Sequence, residues 1–110
     1  MTRSTTILML FTAALLEAGG DALVRFGLRS NALWQRAALF AVAAIVLFAY
    51  GWTVNRPPWE FGKLLGLYVV FFFVIAQFIS WLAFKQTPSL AVLLGGALII
   101  AGGTVIALAN

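Results

Sequence analysis

Four apolar stretches, each long enough to cross a bilayer and parted only by short polar or proline-bearing segments, take up nearly all of this 110-residue chain. A hydrocarbon core about 30 Å thick needs about 20 helical residues per crossing, so four crossings use roughly 80 residues and leave only short connections. In lipid the backbone must satisfy its own hydrogen bonds, which a helix does within one segment. The sequence therefore predicts an all-α fold: a single domain, residues 1–110, of four transmembrane helices at about 7–28, 32–54, 61–84 and 89–108. Composition points the same way, with 64% hydrophobic and 9% charged residues, where a soluble domain carries about 25% charged residues.

The boundaries follow from local chemistry. The first stretch carries Glu17 and Asp21 and outruns the roughly 7–15 apolar residues of a signal-peptide core, so it reads as a retained helix. Pro57 and Pro58 end the second helix and fix a tight connection. Pro88 stands just ahead of the fourth, where its missing N–H costs nothing. Trp34, Trp52, Trp59 and Trp81 each fall near a span end, the preferred depth of an interfacial aromatic belt.

The polar residues inside the spans are the candidates for function. At about 1.5 Å per residue Glu17 lies about 15 Å into the first helix, close to the bilayer midplane. A charge at that depth costs several kcal/mol or more and marks an ion or substrate pathway. A carboxyl there is suited to exchanging a proton for a cation, because its charge is compensated in either state. Asp21 and Arg25 follow at i+4 and i+8 on the same helix face, a spacing at which an acid and a base can pair near the membrane surface. Ala13, Ala14, Ala18, Gly19 and Gly20 leave room beside the Glu17 carboxyl. Tyr68 could offer a cation–π surface, or its hydroxyl could simply bond a neighbouring helix. Gln77, nine residues on at 100° each, lies on the opposite face of the third helix. Glu17, Asp21, Tyr68 and Gln77 are the candidate proton- and substrate-binding residues.

With no Cys and no His, the usual metal sites are excluded, and no cofactor or catalytic constellation is expected. There is no room for a nucleic-acid-binding domain. The expected partners are the bilayer, protons and a small cationic substrate. The net charge of +4 reads as topology signal. Arg25, Arg29, Arg36 and Lys85 fall on one side of the membrane, and Arg3, Arg56 and Lys63 on the other, which leaves almost no positive-inside bias. Such a chain can insert both ways and pair as an antiparallel homodimer; the alternative is a single orientation. Gly95, Gly96, Gly102 and Gly103 mark a face of helix 4 where another backbone can approach closely, within the chain or in a second subunit.

The string Ala14-Leu15-Leu16-Glu17-Ala18-Gly19-Gly20, the pairs Arg25-Phe26 and Leu33-Trp34, the run Ser80-Trp81-Leu82-Ala83-Phe84-Lys85-Gln86, and Gly95 with Gly102 resemble the small multidrug resistance transporters over nearly the whole chain. The resemblance implies that Glu17 binds protons and cationic substrates in an antiparallel dimer, with Gly95 and Gly102 at the dimer contact. It further implies a proton-coupled secondary transporter exporting small cationic compounds across the bacterial inner membrane, as a multi-pass protein. The chain departs from that pattern in Tyr68, where the family has a tryptophan, in Val70 and Phe72 in place of glycines, and in the additional acid Asp21. Gly62-Lys63 followed by Tyr68 is similar to a related branch, the UPF0060 membrane proteins. Two other functions are compatible with the sequence: one subunit of a lipid-linked sugar flippase, with a heteromeric partner, or a non-transporting partner in a membrane assembly.

Overall fold

A computed structural model describes residues 1–109. Four helices follow one another: α1 (Arg3–Arg29), α2 (Leu33–Val54), α3 (Phe61–Phe84) and α4 (Leu90–Leu108). All four are long and apolar enough to span a membrane. The protein is therefore a multi-pass, all-helical membrane protein.

Helix ends are set by side chains that take up free backbone groups. Thr2 accepts from the Thr5 N–H at 3.2 Å, so α1 begins at Arg3 rather than near Ile7. Ser89 accepts from the Val92 N–H at 3.2 Å and so stands just outside α4 as its cap. At the end of α3, Lys85 adopts a left-handed conformation, φ 56°. This turn sets the Lys85 N–H on the Trp81 carbonyl at 3.1 Å, closing the helix with an αL cap, and lets the Gln86 N–H reach the Ser80 carbonyl, also at 3.1 Å. Lys63 at the start of α3 donates from Nζ to the Ala109 carbonyl at 3.0 Å, so a cation satisfies the C-terminal end of α4, where the helix dipole favours it.

The helices lie in the order α2, α1, α3, α4: α1 packs on both α2 and α3, and α4 packs chiefly on α3. The result is a slab with extents of 51 × 34 × 19 Å, less than two helix diameters of about 10–12 Å through its thinnest direction. So thin a bundle has a small core. Leu10, Ala13, Ala14 and Ala18 of α1 meet Val54 of α2 and Leu64, Tyr68 and Ile75 of α3. Most of that core lies between Glu17 and the end of the bundle that holds the chain termini. Small residues set how closely helices approach. Gly20 lies against Leu47, and Gly27 against Phe40, along α1 and α2. At 27 residues, α1 is about 40 Å long and exceeds the hydrocarbon thickness, which requires tilt or protrusion at its ends.

Candidate intramembrane carboxyl site

Glu17 stands at the centre of α1. The small side chains around it let α3 come close: Ala13 and Ala14 are fully buried and Ala18 nearly so. From α3, Tyr68 Oη donates to Glu17 Oε1 at 2.8 Å. The same hydroxyl lies 3.3 Å from the Ala13 carbonyl oxygen. A phenol has one proton to donate, so these two acceptors compete for it. A carboxylate at Glu17 takes the Tyr68 proton. A protonated Glu17 can itself donate to Tyr68 Oη, which then turns its own proton to Ala13. The pair thus has a hydrogen-bonded arrangement for each protonation state of Glu17, without moving a helix.

The tyrosine ring is held as firmly as its hydroxyl. Tyr68 is 4% exposed and packs at a tilt against Tyr50 of α2, with ring centroids 5.6 Å apart, and against Phe72 of α3, at 6.2 Å. Tyr50 joins the site although no motif or spacing in the sequence marks it. It arrives through the register of α1 against α2, which Gly20–Leu47 and Gly27–Phe40 define and which continues to Glu17 and Tyr50. One signal was present: the chain has two tyrosines, and their rings meet here. The Glu17 carboxyl thus adjoins a packed group of rings, Tyr68 against Tyr50 and Phe72.

The other candidates separate from this centre. Asp21, one turn along α1, faces a groove between α1 and α3. Its expected partner Arg25 lines the same groove, but the guanidinium sits over the Phe84 ring, 5.3 Å from the centroid, rather than in an ion pair with Asp21. Gln77 is not brought to Glu17. It borders a shallow apolar depression with Phe78, Trp81, Thr87 and Pro88. Gly95 and Gly102 have nothing within 4 Å of where a Cβ would stand, whereas Gly96 and Gly103 are pressed against Phe73 and Val70 of α3. The two glycine pairs of helix 4 therefore do different things, one holding α4 to α3 and the other facing outward. Among the described residues, no group of three or more Asp, Glu, His or Cys gathers where a metal ion could be held.

No curated protein and no solved structure matches the chain. The family described as "Uncharacterised BCR, YnfA/UPF0060 family" matches residues 3–110, which include the Glu17–Tyr68 pair, Tyr50 and both glycine pairs. This small four-helix membrane protein, similar to the small multidrug resistance type, belongs to the YnfA/UPF0060 family.

Proposed function

We propose that the chain is a proton-coupled secondary transporter that exports small cationic compounds across the bacterial inner membrane. The observation that carries this reading is the Glu17 carboxyl at mid-helix, hydrogen-bonded to Tyr68, whose ring packs against Tyr50, with no cationic side chain bonded to the carboxyl among the described residues. An acid placed so has two uses for its negative charge, a proton or a cation from outside the protein, and exchange between them couples one gradient to the other. The testing experiment is proton release: adding tetraphenylphosphonium to the purified, weakly buffered protein should release protons and acidify the solution. A ligand that binds without moving protons would overturn the coupling.

A transporter built on one slab has too little interior to enclose a substrate, which favours assembly of two copies. Gly95 and Gly102 lie on one stripe of α4 with Leu98 and Val105, which are 75% and 68% exposed, and that stripe is the proposed homodimer contact. The basic residues divide between the two ends of the bundle: Arg25 and Arg29 lie over Phe84 at one, Arg3 and Lys63 near Trp59 at the other. The balance predicts dual topology. A reporter fused after Asn110 should give signal on both sides of the membrane, and two lysines added at one end should drive a single orientation. A one-sided signal from the unmodified chain would exclude the antiparallel pair.

A further inference from the structure

The surroundings of Glu17 differ sharply toward the two ends of the bundle. Toward the termini, Thr6, Leu10, Val54 and Leu64 are all 2% exposed or less, so the packing there is closed. Toward the other end, a groove of about 370 Å³ runs between α1 and α3. The groove stops one residue short of the site: its inner limit is Ala18, next to Glu17 in sequence, and Phe72, whose ring packs at a tilt against Tyr68. Its outer limit is Arg25, Phe84 and Gln86, at the connection between α3 and α4.

Asp21 lies between these limits, about 6 Å from Glu17 along the helix axis and about as far from Arg25. The transport reading of Glu17 has no use for it. The polar groups that share the groove are Arg25 on α1, Ser80 on α3 and Gln86 beyond it. The arginine does not neutralise Asp21: Arg25 and Arg29 both lie over the Phe84 ring, at 5.3 and 5.7 Å from its centroid, and Phe26 stacks on the same ring at 5.1 Å. The mouth is thus built around a clasped aromatic side chain, and the carboxyl behind it is left to face the groove.

We propose that this groove is a water-filled route to Glu17 from the end of the bundle bearing Arg25 and Phe84, and that Asp21 holds an arriving organic cation within it before the cation passes to Glu17. The inference rests on Glu17 being a cation site, and it adds a second binding position and a side of access. A carboxylate along a low-dielectric passage raises the local concentration of cations and hence their rate of arrival. A relay of this kind changes rates in both directions more than it changes final affinity.

Two experiments test it together. The chain has no native cysteine, so each introduced one is unique. In liposomes with reagent on both sides, Ala76→Cys and Ser80→Cys should react with a trimethylammonium methanethiosulfonate at least about tenfold faster than Ile45→Cys, a lipid-facing position, or Thr6→Cys, on the sealed side. These variants keep Asp21, so they remain informative if its replacement folds poorly. In stopped-flow binding of tetraphenylphosphonium, Asp21→Asn should slow association and dissociation about tenfold each with little change in Kd, and Asp21→Glu should restore the rates. Unreactive groove cysteines, or an unchanged association rate in Asp21→Asn, would overturn the proposal. The Glu17 reading fails separately, if Glu17→Gln binds the cation as well as the unmodified chain does.

Discussion

Glu17→Gln is expected to abolish cation-driven proton release and to weaken binding of tetraphenylphosphonium by roughly a hundredfold to several thousandfold. The magnitude comes from the roughly 3–5 kcal/mol lost when one partner of a buried charge pair is removed, the other partner here being the bound cation. Glutamine keeps the length and the acceptor for Tyr68, whose hydroxyl sits 2.8 Å from Glu17 Oε1, so the fold should survive and the loss should belong to the charge. Two further variants separate charge from geometry. Glu17→Asp keeps the charge but withdraws the carboxyl by about one methylene, out of reach of Tyr68, so proton release should persist with weaker cation binding. Tyr68→Phe also keeps the charge and removes the donor that orients it. It should still release protons, with affinity lower by about tenfold, the scale of one charge-assisted hydrogen bond. Should Glu17→Gln retain proton release while Asp21→Asn loses it, the assignment of the exchanging carboxyl is wrong.

The helices were legible because a bilayer leaves the sequence little choice: apolar runs of the right length, broken at Arg29-Ser30-Asn31, at Asn55-Arg56-Pro57-Pro58 and before Pro88, mark every span. What hydropathy did not show was the first turn of α1. Its residues are polar, and the cap that starts it depends on one hydroxyl of Thr2. Glu17 was legible for the same reason as the helices, since an acid in the middle of a span violates the pattern that defines the span. Its partners were less so. The Tyr68 hydroxyl reached a neighbouring helix, which was one of two alternatives for it, and the atom it found there was the Glu17 carboxyl. Tyr50 could not be placed without the α1–α2 register. Arg25 shows the limit of arguing from one helix: its spacing allows a pair with Asp21, but the rings of Phe26 and Phe84 offer a competing surface, and Phe84 is remote in sequence.

The glycines of helix 4 carry the second large effect. Spacing alone marks Gly95, Gly96, Gly102 and Gly103 as equivalent, yet the structure divides them. A side chain at Gly103 would meet Val70 and, at 3.3 Å, the backbone carbonyl of Gly66. A side chain at Gly96 would meet the Phe73 ring. Backbone cannot move aside as a flexible side chain does, and overpacking typically costs about 1–3 kcal/mol. Because α4 has little support apart from α3, Gly103→Leu should detach it. The expected result is a clear loss of thermal stability in detergent, measured by circular dichroism, with loss of dimers as a consequence. Gly95→Leu combined with Gly102→Leu should behave in the opposite way. Nothing stands within 4 Å of either position, so the monomer should unfold at an unchanged temperature, while chemical crosslinking and sedimentation should show the dimer gone, because two backbones can no longer approach along that stripe. The two results together locate the interface. If the outward pair tolerates leucine with dimers intact, the subunits meet elsewhere, and if Gly103→Leu leaves stability unchanged, α4 is not held to α3 by the contact described here.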